Sequence, residues 1–292
     1  MAGQHGEAGH WYSRETGEQV PTVPAKKGGM KKTTVREARE MDLVKGCTTI
    51  ADERRNPFLE KWKMETAAKA MAVILSEKYG VAFTPEELKG LVKQAVEEGP
   101  AKVASETADR GRAIHAAVDR YFSGDQVSPE FAGWVETVKG VLEALAGTDD
   151  FSIWQAEVDS VHPAGYGCRG DLACFSRAMY VDIKTRDFTA DDVANAMAKK
   201  AKGTKDLGRL TPRQGEPLQI AANMMAMFGH IDATTYGADL YLDRTDPEIF
   251  FLHPYTVEEL EAAWKQFLAC LVLSAEADKL SHRVDISVRL DP

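Results

Sequence analysis

The chain has little cysteine, four residues in 292, at Cys47, Cys168, Cys174 and Cys270. Thiols so few and scattered, with no CxxC pair, exclude a disulfide framework and a zinc knuckle, and they fit a reducing cytoplasm. Long apolar runs are also missing. Stretches such as 71–75 and 267–273 are short and flanked by charge, far from the roughly 20 apolar residues a bilayer span needs. Residues 1–10 are polar and Gly-rich without an apolar segment, so no secretory signal is expected. Positive charge is in the minority, with 36 Lys and Arg against 45 Asp and Glu and a formal charge of -9. That excludes a surface coated with basic residues for nucleic acid, although a local basic track on an acidic body stays open.

What is present is an ordinary globular composition, 44% hydrophobic and 28% charged, enough for one large domain or two small ones at roughly 100–200 residues each. Gly and Pro punctuation marks 1–32 as an arm or small hairpin, with strands at 10–14 and 18–23 around Thr16-Gly17. Periodicity then predicts a helix over 33–45, ended by Gly46, a brief extended piece at 47–50, and a longer helix over 56–79. Thr84-Pro85-Glu86-Glu87 is a capping box with proline at the first helical position, and it opens a helix that Gly99-Pro100 stops. Two more helices are expected over 101–122 and 129–145.

After Gly147 the pattern changes. Residues 151–161, 168–175 and 178–184 read as three strands, the last two as a hairpin. Helices at 190–202 and 217–228, strands at 234–242 and 249–253, and a last helix capped by Thr256 and Glu259 complete the order. The order predicts a mixed α/β (α+β) fold, a core sheet flanked by helices with a largely helical N-terminal half. The expected organisation is 1–32 as the arm, 33–100 as a helical region, and 101–292 as the core with its C-terminal helix.

The most informative stretch is Tyr180-Val181-Asp182-Ile183-Lys184-Thr185. Period-two geometry puts Asp182 and Lys184 on one face of a strand. Across the hairpin, a two-residue turn at Ser176-Arg177 pairs Asp171 with Asp182, whereas a three-residue turn shifts this by one. Carboxylate oxygens are hard ligands suited to Mg²⁺ or Mn²⁺, and a lysine beside such an ion can orient or deprotonate a water. Phosphodiester hydrolysis needs that combination. Glu157, in the preceding strand, could add a third carboxylate. His115 stands one helical turn after Gly111, so its imidazole could point at the site, with Asp119 a turn further on as a partner for the ring.

The series Gly111-Arg112-Ala113-Ile114-His115, Glu157, Gly170-Asp171, Asp182-Ile183-Lys184-Thr185 and Gln219 spans about residues 105–230. In that order it resembles the PD-(D/E)XK nuclease superfamily, in its RecB-like exonuclease branch. Cys47-Thr48-Thr49-Ile50 followed by Asn56-Pro57-Phe58-Leu59-Glu60-Lys61-Trp62 is similar to phage members of that branch. The resemblance implies a restriction-endonuclease-like core and a Mg²⁺- or Mn²⁺-dependent deoxyribonuclease, an exonuclease in preference to an endonuclease, using one or two ions. By it, His115, Asp171, Asp182 and the carbonyl of Ile183 hold metal, Lys184 activates water, Glu157 binds a second metal, and Gln219 orients the lysine or a phosphate. The implied substrate is DNA with single- or double-stranded ends. Replication, recombination or repair proteins are implied as partners, no membrane is involved, and the location is a bacterial host cytoplasm if the chain is phage-encoded.

Two departures stand out. Asn223 occupies the place where the family's Q-x-x-x-Y carries tyrosine, and only Cys270 lies near the C-terminus, so no iron–sulfur cluster is expected. Plainer roles stay open residue by residue. His115 alone could be structural, Glu157 could face solvent, and Asp182 with Lys184 could be a solvated strand end. Against the last stand Tyr180, Val181 and Ile183, which mark a buried strand where unpaired charge is costly. Lys199, Lys200, Lys202, Lys205, Arg209 and Arg213 place six cations within 15 residues, between the strand motif and Gln219. They form either a solvated face or a phosphate track, and Gly203, Gly208 and Gly215 fit a loop that orders on DNA. Trp62 and Trp154 could stack on bases or belong to the core. A non-catalytic DNA-binding or scaffold protein on the same fold is the alternative function.

Overall fold

The computed structural model describes residues 10–25, 28–51, 57–77 and 83–280, with backbone alone at 57–63, 77, 97–107 and 276–280. It divides into two compact units, Met1–Arg54 with Ala117–Pro292, and Arg55–Ala116.

In the first unit, strand β1 (Trp11–Ser13) folds back as the turn residues require: Ser13 N–H donates to the carbonyl of Glu18 at 2.9 Å and Val20 N–H to that of Trp11 at 2.7 Å. Strands β2 (Thr22–Pro24) and β3 (Met30–Lys32) form a second small antiparallel ribbon. Helix α1 (Val35–Glu40) is much shorter than the helix expected over 33–45, and residues 43–45 form strand β4 (Leu43–Lys45) instead. A capping box between Thr34 and Glu37 starts α1, Asp42 breaks it in left-handed backbone at φ 51°, and β1 captures the following residues as a partner. Pairing outweighs helix propensity over so short a segment. Helix α2 (Cys47–Ala51) corrects the extended piece expected at 47–50. Its buried residues Cys47, Ile50 and Ala51 follow i, i+3, i+4 spacing, a helical signal that the β-branched Thr48-Thr49-Ile50 run masked.

The second unit holds helix α3 (Pro57–Glu77) and most of helix α4 (Pro85–Phe122), which continues to residue 122 in the first unit. The Thr84 cap forms as expected, Glu87 N–H reaching Thr84 Oγ1 at 3.3 Å and Thr84 N–H reaching Glu87 Oε2 at 2.8 Å. The expected stop at Gly99-Pro100 does not occur, because α4 is continuous through it. A proline inside a helix costs about 3 kcal/mol, and the Ala, Glu, Lys and Val residues on both sides sustain the helix across that cost.

Helix α5 (Ala132–Ala146), capped by Gly147 in left-handed backbone, leads into the main sheet of the first unit. The sheet comprises β5 (Gln155–His162), β6 (Tyr166–Cys174), β7 (Met179–Arg186), β8 (Tyr236–Asp243) and β9 (Phe250–Pro254), side by side in that order. All neighbours are antiparallel except β7 and β8, which are parallel. A parallel pair needs a crossover, supplied by helices α6 (Ala190–Ala201) and α7 (Glu216–Phe228). The last helix, α8 (Val257–Leu280), packs with α7 and α2 over the core of Tyr166, Tyr180, Ile220, Met224 and Phe267.

The architecture is thus the mixed α/β fold expected, a five-stranded sheet with flanking helices and a largely helical N-terminal half. Among the described residues no helix is long and apolar enough to cross a membrane. Helix α7 lies unusually close to the sheet at Gly237, where a Cβ would come 2.5 Å from Met224 Sδ and 2.9 Å from Ile220 Cγ2. That close approach brings the first turn of α7 over the end of β7.

Candidate active site

The β6–β7 hairpin pairs Cys174 with Met179, Ala173 with Tyr180 and Leu172 with Val181. Extended by one step, this register sets Asp171 opposite Asp182, the alternative that a two-residue turn implied. The connecting turn is longer, with a short 3-10 turn at Phe175–Arg177 and Ala178 in left-handed backbone, yet it keeps the same register. The ladder gives way at Asp171, whose Oδ2 accepts the N–H of Ile183 at 2.6 Å. The side chain does what a strand carbonyl would otherwise do, and it brings the two carboxylates to one edge of β7.

Asp182 is buried, with one oxygen accepting the Tyr180 hydroxyl and the other against the ammonium of Lys184. The Lys184 ammonium also donates to Gln219 Oε1 at 2.9 Å, the glutamine reaching it from the first turn of α7. Asp171, Asp182, Ile183, Lys184 and Gln219 therefore form one cluster. Burial alone would lower the pKa of Lys184, but Asp182, Asp239, Asp171 and Glu216 outweigh it and hold the ammonium charged. Burial pushes Asp182 up, with Asp171 adding to the rise and Lys184 opposing it.

Two further carboxylates of this cluster carry no motif. Asp239 on β8 is paired in register with Asp182, is fully buried, and accepts the hydroxyls of Tyr255 and, at 3.2 Å, Tyr241. Its Oδ1 has no hydrogen-bond partner, and burial raises its pKa to about 7. Glu216, the first residue of α7, binds Arg186 through both oxygens, at 2.7 and 2.6 Å, and accepts the Tyr241 hydroxyl at 2.9 Å. Burial pushes Glu216 up, yet Arg186 and Lys184 bring it below its ordinary value. The signal for Asp239 was in the sequence: a carboxylate inside the apolar run Gly237-Ala238-Asp239-Leu240 of a strand buried on both faces is costly unless it has a task.

The remaining motif residues stand on other elements. Glu157 sits on β5 between the Ala156–Leu172 and Val158–Gly170 pairs, in left-handed backbone at φ 50°, and its carboxylate lies 3.5 Å from Arg169, which binds Asp159 at 2.7 Å. Such backbone costs a non-glycine residue roughly 1–2 kcal/mol. His115 is half-buried on α4 and belongs to the second unit. Asn223 is fully buried and donates from Nδ2 to the Tyr180 hydroxyl at 2.6 Å, so a tyrosine hydroxyl reaches the cluster from the strand although the helix carries asparagine. Trp154 is buried in the core, and the side chain of Trp62 lies outside the described residues.

Of the six cations, Lys199 is partly covered and Lys200, Lys202, Lys205, Arg209 and Arg213 are exposed. Their backbone is tied to the cluster. Arg186, two residues past Lys184, donates to the carbonyls of Arg209 at 2.9 Å and Thr211 at 3.0 Å, while Glu216 accepts the N–H of Arg213 at 2.7 Å.

Among the described residues no three His, Cys, Asp or Glu side chains converge to hold a metal unaided. Mg²⁺ does not require that, since it commonly takes one or two carboxylates and completes its shell with water and substrate phosphate. Asp171, Asp182, Asp239 and Glu216 surround Lys184, and Arg186 pairs with Glu216. Asp171, Asp182 and the Ile183 carbonyl are oxygen donors of the kind such an ion takes.

No protein-family model matches the chain, and no curated protein does. Among solved structures it is similar to the alkaline exonuclease LHK-Exo from Laribacter hongkongensis, at 15% identity and a TM-score of 0.27, over 59% of this chain and 97% of that one.

Proposed function

We propose that the chain is a metal-dependent nuclease that hydrolyses phosphodiester bonds of DNA, an exonuclease of the RecB-like PD-(D/E)XK type. The observation that carries this reading is Lys184 held between Asp182 and Gln219, with Asp171 bonded across the hairpin to Ile183 N–H. Asp171, Asp182 and the Ile183 carbonyl would hold Mg²⁺ or Mn²⁺, with Glu157 as a further proposed ligand. A bound ion of this kind polarises the phosphoryl group and lowers the pKa of its water.

The chain's own residues do the rest. Lys184, kept charged by its carboxylate neighbours, orients the attacking water and faces the charge that develops on the phosphoryl oxygens. Gln219 fixes the direction of the ammonium. Lys199, Lys200, Lys202, Lys205, Arg209 and Arg213 receive the phosphates of the strand.

The test is a time course on end-labelled single- and double-stranded DNA with Mg²⁺, Mn²⁺ or EDTA, comparing wild type with Lys184→Ala. Metal-dependent shortening that the substitution abolishes is the expected result, and the product ladder gives the polarity. Absence of cleavage by folded, metal-loaded wild type would overturn it in favour of a DNA-binding scaffold. One observation supports that second reading: the Tyr180 hydroxyl occupies Asp182 Oδ1, and the Lys184 ammonium already neutralises Oδ2 as an ion pair.

A further inference from the structure

Tyr180 and Asn223 take no part in the chemistry above, yet they form a buried polar chain that ends on Asp182. Tyr180 stands two residues before Asp182 on β7, shares its face, and is fully buried. Its hydroxyl donates to Asp182 Oδ1. Asn223 Nδ2 donates to that hydroxyl oxygen at 2.6 Å, and Asn223 Oδ1 accepts the Cys47 thiol at 3.5 Å.

Donor inventory fixes the direction of this chain. An ionised carboxylate only accepts, and a phenol has one proton to give, so the hydroxyl proton goes to Asp182 and the asparagine supplies its amide N–H. None of these groups has water as an alternative partner, because Tyr180, Asn223 and Asp182 are all at most 1% exposed. Packing alone would be served by phenylalanine and leucine at these two positions, without the desolvation of a hydroxyl and an amide.

We propose that Tyr180, steered by Asn223, is a positioning residue for Asp182. It occupies one carboxylate oxygen and so fixes the rotation that turns the other toward Lys184 and the cation side of the cluster. The assignment rests on the proposed function only in treating Asp182 as a metal-holding carboxylate.

The experiment uses the full-length protein and Tyr180→Phe, which keeps the ring and removes the hydroxyl, with Asn223→Leu as a second variant that leaves Tyr180 intact. In cation-free protein labelled at the aspartate carboxyl carbon, the Asp182 resonance is identified by its loss in Asp182→Asn. It is expected to move in Tyr180→Phe and to move less, in the same direction, in Asn223→Leu. The Mn²⁺ affinity of Tyr180→Phe, measured by titration, is expected to fall about 10-fold or more, with kcat falling alongside and KM for DNA unchanged. A resonance that stays in place in the folded variants overturns the proposal. So does a shift accompanied by wild-type Mn²⁺ affinity and kcat. If wild type neither binds Mn²⁺ nor cleaves DNA, the nuclease reading fails, and the resonance alone decides whether Tyr180 positions Asp182. Should Tyr180→Phe fail to fold, Asn223→Leu carries the same measurements.

Discussion

Arg186 grips Glu216 with one guanidinium nitrogen at 2.7 and 2.6 Å from the two carboxylate oxygens, joining the end of β7 to the start of α7 inside the protein. The same guanidinium holds the carbonyls of Arg209 and Thr211, so the basic segment and the Gln219 turn share one anchor. Removing one partner of a buried pair strands the other charge and costs about 3–5 kcal/mol. Glu216→Ala is expected to lower stability by that order and to expose residues 203–215 to limited proteolysis. A denaturant melt together with a protease time course checks both outcomes, and wild-type resistance of the segment would refute the anchoring.

Gly237→Ala probes the fit of α7 on the sheet. The added methyl meets Met224 Sδ at 2.5 Å and Ile220 Cγ2 at 2.9 Å, so these side chains or the helix that carries them must shift. Overpacking of this kind costs about 1–3 kcal/mol. Because Gln219 rides on the same helix, the DNA cleavage rate should fall by more than the loss of folded protein explains. Circular dichroism and turnover measured on the same sample separate the two contributions.

Asp239 gives a pH dependence with a definite sign. Its carboxyl holds its proton up to about pH 7 in the folded chain, whereas the unfolded carboxyl releases it near its ordinary value of 3.8. Between those values the unfolded state binds fewer protons, so stability falls as pH rises through this window and levels off above it. In EDTA, the urea midpoint of wild type should decline from pH 4 toward pH 7. Asp239→Asn should flatten the part of that decline due to this group, and an unchanged profile would contradict it.

Replacing Lys202, Lys205, Arg209 and Arg213 together with alanine should weaken DNA binding uniformly across sequences. The slope of log K against log salt should shrink by about one for each phosphate that the variant no longer neutralises. All four side chains are exposed, so the melting temperature should stay near wild type. Filter binding at several salt concentrations checks the slope, and an unchanged slope would make the segment a solvated face.

The strands after Gly147 were legible because period-two alternation leaves few choices, and the hairpin narrowed the register to two pairings, of which the structure takes the one that sets Asp171 opposite Asp182. Lys184 was legible for the same reason. The N-terminal elements were harder. Residues 43–45 are a strand only because residues 11–13 lie beside them, and Gly99-Pro100 resembles a stop although the helix persists. Asp239 and Glu216 join the cluster through the parallel pairing and the crossover, neither of which local spacing reveals.

The two halves of the cluster differ in how far along the chain their contacts reach. Asp171 and Ile183 are 12 residues apart and meet within one hairpin, whereas Lys184 and Gln219 are 35 apart and meet only once the crossover has closed. Loop closure of the longer segment adds entropy cost and slows folding. The carboxylate pair can therefore assemble while the chain is still emerging from the ribosome, but the lysine gains its orienting partner only after α7 docks. Until then the Lys184 ammonium lacks the contact to Gln219 that spans the crossover.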